Sequence, residues 1–511
     1  MAVPEPARQM VVIMTDTQGA NVVGCYGRPE MRTPRLDRLA SQGVRFERAY
    51  TTSPVCTPAR AGLFTGTFPH TAGAWANSLP LGANIRTVGQ RLQDRGFHTA
   101  YIGKWHLDGT DYFGSGYAPP GWDPAYWYDM RCYLEELTPE QRLRSRTELH
   151  TREAIHRYGI TEQDTFGRRC SDRAISFLER HRDEPFLLVV SYDEPHGPST
   201  CPPPYCDLFA DFEYDPGPGA ADTLEGKPEH QKEWAAALGL YPVPDPASLA
   251  DPARRRIRRP MYFGCNSFVD DEIGRVLDAI DRYAPDALVI YTSDHGDQLT
   301  AHRLTGKGPV MYEETTRIPF IVRWPGRAPA GAVCRHPVSH IDVTPTLLSA
   351  AGLEVPPFLE GTSLLETLAD PERRPHEAVF LEFNRFELDH DSMGGFQPVR
   401  CVYDGRYKLV INLHYTDELY DHETDPHELR NLIDAPEYAA VRDGLHDRLL
   451  EWMNRTRDPF RGPIWERRPW RRERRLGWRG PTRPRPDDGY ERRVLLYATG
   501  LPVERWEYGA R

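Results

Sequence analysis

The stretch VVIMTDTQG, residues 11–19, decides the fold of this chain. Its first four residues form a short apolar run, which is typical of a buried strand in a parallel sheet. Polar side chains follow at once, with Asp16, Thr17 and Gln18 in succession. In open α/β sheets, ligands bind at the carboxyl ends of the strands, so this cluster is a candidate functional site.

Three further apolar runs predict strands of the same kind, at residues 98–103, 185–192 and 287–293. Amphipathic helical patterns lie between them. This alternation predicts an α/β fold, with a mostly parallel central sheet flanked by helices. We assign residues 1–375 to this domain.

The rest of the chain has a different pattern. Short strand patterns and one amphipathic helix predict a smaller α+β subdomain with an antiparallel sheet at residues 376–460. Residues 461–511 are rich in arginine and tryptophan. We expect this extension to wrap around an acidic body or form a subunit contact rather than to bind nucleic acid.

Composition excludes several classes of protein. The 511 residues carry a formal net charge of −11, whereas a general nucleic-acid binder depends on a basic surface. No apolar run approaches the ~20 residues that a membrane span requires. The amino terminus has no apolar run typical of a signal peptide, which favours a cytoplasmic protein. These properties do not determine the oligomeric state, and a homo-oligomer is one of the possible states.

The other three predicted strands also end in residues that suit catalysis or metal binding. These residues are Lys104 and His106, then His196, and finally Asp294 and His295. Because the carboxyl ends of parallel strands meet at one edge of a sheet, we expect these side chains to lie close to Asp16.

The stretch SPVCTPARAGLFTG, residues 53–66, adds to the same edge. Pro58 suits the first turn of a helix, which places Cys56 and Thr57 at its cap and a stop near Gly66. The exposed N–H groups at a helix start favour an anion, and Arg60 adds a fixed cation. From these residues alone, Cys56 could also be a small buried apolar residue or a thiolate nucleophile.

The pattern Cys-x-Pro-x-Arg in CTPARAGLFTG resembles the signature of the type I sulfatases, which belong to the alkaline phosphatase superfamily. Further resemblances, in the family's order over about residues 9 to 435, are MTDTQGANVVGCYG, TAYIGKWHL, DEPHGP, YTSDHGD, GKGPVMYEETTRIPFIV, SHIDVTPTLLSAAG, GTSLL and DELYDHETDPHELRNL. The resemblance implies an alkaline phosphatase-like fold and a sulfatase that hydrolyses a sulfate ester or sulfamate.

The resemblance also implies that a maturation enzyme oxidises Cys56 to formylglycine. A hydrated aldehyde carries two hydroxyls on one carbon, so one can attack sulfur while loss of the other's proton later expels sulfate. Serine or unmodified cysteine lacks the second hydroxyl.

Roles for the other residues follow from the same resemblance. Asp16, Asp294 and His295, with the modified Cys56, would hold a divalent cation, and Arg60 would steady the aldehyde hydrate. Lys104 and Lys307 would bind the oxygens of the sulfate. His106 would act as the base of the elimination. His196 would contact the sulfate or donate a proton to the leaving oxygen, with Lys307 as a second donor.

Two departures from the family pattern concern the metal. Thr17 stands where many sulfatases have the second of two aspartates, and Gln18 follows it. Either residue could supply a neutral oxygen to the metal. His295 stands where others have asparagine. Nitrogen is a less natural ligand for calcium, so manganese and magnesium stay open as alternatives. We favour calcium, because carboxylates suit a hard cation.

Two other functions stay open at this point. Phosphonate monoester and phosphodiester hydrolases of the same superfamily share the cysteine motif and the Asp-His pair, although Lys104 and His106 favour sulfate. A protein with unmodified Cys56 could instead bind sulfated glycans without catalysis. The charged and aromatic sequence suits a sulfated carbohydrate as substrate, either a small molecule or an oligosaccharide.

A glycine-containing segment of the smaller subdomain is a candidate for substrate contact. Its polar residues are Arg385, His390, Gln397 and Arg400. We expect them to lie on a loop that overhangs the catalytic edge and contacts the sugar. A solvated connection between strands is the alternative interpretation.

Overall fold

The computed structural model describes residues 6–82, 84–243, 245–387 and 395–475, and the backbone of two short strands beyond them. The strands are β1 (Gln9–Thr15), β2 (Val44–Phe46), β3 (Ala49–Tyr50), β4 (His98–Gly103), β5 (Phe186–Ser191), β6 (Leu288–Ser293), β7 (Arg317–Ile318), β8 (Phe320–Arg323), β9 (Ala332–Cys334), β10 (Val338–Ser339), β11 (Val379–Phe383), β12 (Val399–Tyr403), β13 (Tyr407–Asn412), β14 (Glu418–Asp421), β15 (Val494–Leu495) and β16 (Pro502–Val503).

Helices alternate with these strands through the first part of the chain. They are α1 (Pro34–Ser41), α2 (Cys56–Thr65), α3 (Pro69–Ala72), α4 (Val88–Gln93), α5 (Met130–Glu136), α6 (Pro139–Thr147), α7 (Arg152–Arg157), α8 (Phe166–Arg180), α9 (Tyr205–Leu208), α10 (Glu229–Ala237), α11 (Pro252–Arg255), α12 (Pro260–Tyr283), α13 (Glu313–Thr316), α14 (Val343–Ala350), α15 (Leu365–Ala369), α16 (Ala439–Arg455) and α17 (Pro463–Glu466). None of the helices in the described part of the chain is both long and apolar enough to cross a bilayer.

The central sheet has the strand order β4-β5-β1-β6-β8-β2-β9. Its first four strands are parallel, and β8 is antiparallel to β6. The four parallel strands are the four that the sequence predicts, and all residues of β5 and β6 are buried because helices cover both faces. The predicted mostly parallel α/β fold is confirmed.

Alternate residues of β1 pack into two separate cores. Met10 and Val12 belong to a core with Leu63 of α2, whereas Val11 and Ile13 belong to a core on the opposite face. This second core includes side chains of α1, α8 and α12. Each fully buried aliphatic side chain contributes about 1.5–3 kcal/mol, so the two cores fix β1 at the centre of the sheet.

Helix α2 runs through the interior and contains two candidate catalytic residues, Cys56 and Arg60. All ten of its residues are buried, and it ends at Gly66, whose φ of 69° suits glycine. The helix begins at Cys56 and Val55 is its N-cap, so the prediction that Cys56 and Thr57 form the cap was wrong. A Cβ on Gly62 would lie 2.5 Å from Thr52 Oγ1, which shows how closely the helix is packed.

A second sheet follows the central domain in the chain. Strands β11, β12, β13 and β14 are antiparallel in that order, as the sequence predicts for this region. Trp452 and Leu449 of α16 pack on Leu409 and Ile411 on one face. The boundary between the two units near residue 375 stays a prediction.

The described start of the carboxyl-terminal extension lies against this subdomain. Trp465 is buried, and Arg468 binds Asp417 through Nε to Oδ2 at 2.8 Å. Arg471 Nη1 lies 2.9 Å from Asp447 Oδ1. Most of the extension lies outside the described residues, so the wrap around the body stays a prediction.

Candidate active site

The carboxyl ends of the parallel strands bring the predicted residues together. Asp16 follows β1, Lys104 follows β4, and Asp294 with His295 follows β6. Helix α2 approaches the same edge and contributes Cys56 and Arg60, while Lys307 comes from the loop between β6 and α13. This convergence arises because parallel strands end at one edge of the sheet.

Cys56 lies at the centre of this group and is surrounded by polar atoms. Its Sγ lies 2.7 Å from Lys307 Nζ, 3.2 Å from His295 Nε2 and 3.8 Å from Asp16 Oδ1. The side chain is buried. A buried cysteine is usually surrounded by apolar groups, so these surroundings argue against a simple packing role.

Arg60 joins the two aspartates. Its guanidinium is fully buried and lies 2.9 Å from Asp16 Oδ2 and 3.1 Å from Asp294 Oδ2. The third nitrogen donates to the Lys104 carbonyl at 2.7 Å and to Ser191 Oγ at 2.8 Å. The rigid fork of arginine therefore fixes both carboxylates and the chain at the end of β4.

Lys104 adds a second buried cation beside Asp16. Its Nζ lies 2.7 Å from Asp16 Oδ2 and 3.1 Å from Asp193 Oδ1. Lys307 is placed on the other side, with its Nζ 4.0 Å from Asp16 Oδ1. The two lysines thus flank the carboxylate and the thiol, an arrangement that suits an oxyanion.

The charges shift the pKa values of this group in opposite directions. Burial acts to raise the pKa of Asp16, but Lys104 and the other cations hold it well below its usual range. Burial and Asp16 oppose ionisation of Cys56, yet Lys307 and Lys104 lower the pKa of its thiol to about 5. Burial and the negative charge of Asp16 raise the pKa of Asp294 to about 7.

Four of these residues form a donor set for a metal ion. Asp16, Cys56, Asp294 and His295 each offer one atom, and the four atoms lie within 4.8 Å of one another. His295 Nδ1–H donates to the Gly296 carbonyl at 2.9 Å, which directs Nε2 towards the cluster. Two carboxylates and an imidazole fit a divalent cation.

His106 and His196 lie beside the cationic centre. Burial and Lys104 lower the pKa of His106 to about 3 and that of His196 to about 4, so both imidazoles are neutral near pH 7. His106 Nδ1 is buried without a hydrogen-bond partner among the described residues, and its backbone has a positive φ of 58°. The ring is therefore held in place by its packing rather than by a bond from Nδ1.

Tyr112 is a neighbour of both histidines that the sequence analysis missed. Its hydroxyl contacts His196 Nδ1 at 2.9 Å and also bonds Asp193, the partner of Lys104. Its ring lies 3.9 Å from Lys104 Nζ and 5.5 Å from the centre of the His106 ring. Nothing in the local sequence signals this contact, because Tyr112 follows the GKWHL stretch in a loop without regular structure.

The two neutral residues after Asp16 have different surroundings. Thr17 Oγ1 donates to Asp16 Oδ1 at 2.7 Å, so it orients the carboxylate. The Gln18 amide bonds Tyr291 and Asn266, which belong to β6 and α12. Gln18 therefore uses its polar atoms inside the protein, and this argues against the predicted role of Gln18 as a metal ligand.

The predicted substrate segment is only partly described, and one of its residues is placed elsewhere. Arg400 lies within β12 rather than on a loop, is fully buried, and pairs with Asp458 through Nε at 2.5 Å and Nη2 at 3.0 Å. This corrects its predicted position and argues against substrate contact. Gln397 is also buried, Arg385 is half-buried, and His390 lies outside the described residues.

Comparisons with known proteins match this site and fold. A sulfatase family model matches residues 8–353, and a model described as N-sulphoglucosamine sulphohydrolase, C-terminal, matches residues 302–455. The chain is 48% identical over 497 residues to the uncharacterized sulfatase YidJ of Escherichia coli (strain K12), covering 96% of both chains.

The solved structures that share the fold include the following two. One is a protein in complex with its substrate D-glucosamine-2-N,6-O-disulfate, with a TM-score of 0.69, 23% identity, and coverage of 89% of this chain and 99% of that one. The other is the phosphonate monoester hydrolase of Agrobacterium radiobacter, with a TM-score of 0.69, 24% identity, and coverage of 88% and 96%.

Fold and site together define an enzyme of the alkaline phosphatase superfamily. Within that superfamily the chain belongs to the sulfatase family, because the family model covers more than half of it. It is a sulfuric ester hydrolase.

Proposed function

We propose that this enzyme hydrolyses a sulfate ester or sulfamate of a carbohydrate, with formylglycine at position 56 and a bound divalent cation. The observation that carries the proposal is the buried cluster in which Lys307 Nζ lies 2.7 Å from Cys56 Sγ and Lys104 Nζ lies 2.7 Å from Asp16 Oδ2. A sugar is favoured as the leaving group because a structural neighbour was solved with a sulfated glucosamine as its substrate.

The surroundings of Cys56 suit the modified residue better than the thiol. A formylglycine hydrate would present hydroxyl oxygens to Lys307, His295 and Asp16, which are the polar groups that now face Sγ. A maturation enzyme would oxidise Cys56 to the aldehyde, and addition of water would give the hydrate whose hydroxyl is the nucleophile. Arg60 would hold the carboxylates on either side of it in fixed positions.

Asp16, Asp294 and His295 would hold the cation together with residue 56, and Thr17 would orient Asp16. We favour calcium because of the two carboxylates, with manganese or magnesium as alternatives because of the imidazole. A bound cation would lower the pKa of the nucleophile and offset the negative charge of the sulfate oxygens.

The remaining residues would hold the sulfate and move protons. Lys104 and Lys307 would bind its oxygens, and this interaction strengthens as charge develops in the transition state. Neutral His106 can accept a proton, as the elimination of sulfate requires. Neutral His196, held by Tyr112, would bind the sulfate or the leaving oxygen, and the protonated Lys307 is a second proton donor at that place.

Phosphonate monoester or phosphodiester hydrolysis is a second candidate. The structural likeness to a phosphonate monoester hydrolase and the Asp294–His295 pair favour it. The test compares kcat/KM for 4-nitrophenyl sulfate, 4-nitrophenyl phenylphosphonate and bis-4-nitrophenyl phosphate. A preference for either phosphorus ester would replace the proposal.

Mass spectrometry of the peptide that contains Cys56 tests the modification directly. Protein made together with a maturation enzyme is expected to carry formylglycine and to hydrolyse sulfate esters, whereas Cys56→Ala should abolish turnover. An unmodified thiol with full activity would refute the mechanism. An unmodified thiol without activity, combined with tight binding of sulfated glycans, would indicate a binding protein instead.

A further inference from the structure

A cavity of about 770 Å³ opens beside the catalytic cluster. Thr17 and Asp297 line it on the catalytic side, and Arg259 lines it together with the first residues of α12. Thr17 Oγ1 is only 2.7 Å from Asp16 Oδ1, so a single side chain separates the cavity from the proposed metal ligands. The cavity is therefore close enough to the cluster to receive another part of a molecule whose sulfate reacts there.

Arg259 has a position that is fixed by the fold. It is the residue immediately before α12, and its carbonyl accepts the Phe263 N–H at 3.1 Å. Tyr262 in the first turn of this helix donates its hydroxyl to the Thr17 carbonyl at 2.7 Å. The segment that carries Arg259 is thus tied directly to the loop that carries Asp16.

The guanidinium of Arg259 forms no ion pair or hydrogen bond with another described residue, although the side chain is half-buried. The other arginines of the cavity do have partners. Arg258 lies 3.5 Å from Glu213, and Arg152 lies 3.6 Å from Asp207. Arg259 is therefore the unpaired arginine of this cavity among the residues that the structure describes.

The carboxylates of the cavity do not neutralise Arg259. Asp297 Oδ1 accepts from the Leu299 N–H at 2.8 Å and the Gly306 N–H at 3.0 Å, which fixes its loop. Glu153 and Asp211 are exposed. A half-buried guanidinium loses part of its hydration, and an oxyanion can restore its hydrogen bonds with paired N–H donors.

We propose that Arg259 binds a second anionic group of the substrate, so that the enzyme selects sugar sulfates that carry another sulfate or a carboxylate. This inference rests on the proposed function, since Lys104 and Lys307 take the sulfate that reacts. Both kinds of anion offer two oxygens to the guanidinium. Arg259 is then a specificity-determining residue, and the substrate spans the cluster and the cavity.

Calorimetric titration of the full chain with Cys56→Ala and added calcium tests this without turnover. The ligands are N-acetylglucosamine 6-sulfate, glucosamine-2-N,6-O-disulfate and a 2-sulfated glucuronic acid. We expect at least one doubly charged sugar to bind about tenfold more tightly than the monosulfate, because a charge-assisted pair is lost without the second anion. Arg259→Gln should abolish this preference, and Arg259→Lys should restore part of it.

Arg256→Gln is the matched control, because Arg256 does not line the cavity and the change in net charge is the same. It should retain the full preference. Equal binding of all three sugars by the parent chain, or a preference that survives Arg259→Gln, would overturn the inference. Hydrolysis of sulfate esters by the unaltered enzyme is measured separately, so a failure of the proposed function is distinguished from a failure of this assignment.

Discussion

Replacing Arg400 with methionine should lower the free energy of unfolding without weakening substrate binding. The Arg400 side chain is fully buried, and its Nη1 also donates to Asn384 Oδ1 at 2.9 Å. The change leaves Asp458 as a buried carboxylate that, among the described residues, still accepts the Phe460 N–H at 2.9 Å. Breaking a buried pair by removing one partner costs about 3–5 kcal/mol, and we expect a loss of this size.

The assay is denaturant unfolding followed by tryptophan fluorescence, together with KM for a sulfated sugar measured where the variant is folded. Adding Asp458→Asn to Arg400→Met should recover part of the loss, because the stranded charge disappears. Arg400→Lys keeps the charge but loses the two-pronged contact, so its effect should be intermediate. Unchanged stability combined with a raised KM would refute the reasoning and restore Arg400 as a substrate contact.

The remaining predictions concern the active site and its surroundings. Lys104→Met should lower kcat/KM for a sulfate ester at least 100-fold, because a buried cation beside Asp16 is lost; similar activity of the variant would contradict the clamp. Chelation should lower the thermal midpoint of the enzyme, and added calcium should restore it. Asp294→Asn should bind calcium more weakly than the parent in calorimetry, and equal calcium affinities of the two proteins would argue against Asp294 as a ligand. Burial and Asp193 raise the pKa of Glu194 to about 8, above the ~4.3 of an unfolded chain. The contribution of Glu194 to the free energy of unfolding is therefore complete below about pH 4 and is lost as the pH rises through 8. Glu194→Gln should therefore be more stable than the parent at pH 9 and similar at pH 5 in thermal unfolding, and a variant that is less stable at pH 9 would contradict this. Asp270→Ala should cost about 2–4 kcal/mol, because its carboxylate accepts the Arg35 and Leu36 N–H groups at 2.9 Å each; a loss below 1 kcal/mol would show that water replaces it.

Much of the architecture could be predicted because the decisive patterns are local. The apolar runs of β1, β4, β5 and β6 reveal strands that are buried on both faces, and their alternation with helices implies parallel order. The residues at the ends of these strands could then be grouped without knowledge of any contact. Cys56 and Arg60 joined them through the resemblance of one short stretch to a family signature.

The sequence was least informative about contacts between residues far apart in the chain. Gln18 follows Asp16 directly, yet its amide binds Tyr291 and Asn266 from two distant elements. Arg400 finds its partner 58 residues away at Asp458. The local sequence does not indicate these partners, because Gln18 and Arg400 are polar side chains that would also suit a solvated loop.

The sequence by itself therefore determined the strands, the order in which catalytic candidates follow them, and the family to which they point. Only the tertiary structure decided which polar groups face the cluster and which are used inside the protein. It also placed Tyr112 against His196 and left Arg259 unpaired among the described residues beside the loop of Asp16. The physical reason is that the spacing of apolar residues along the chain indicates which side chains are buried. The partner of a buried polar group depends instead on how distant segments pack against one another.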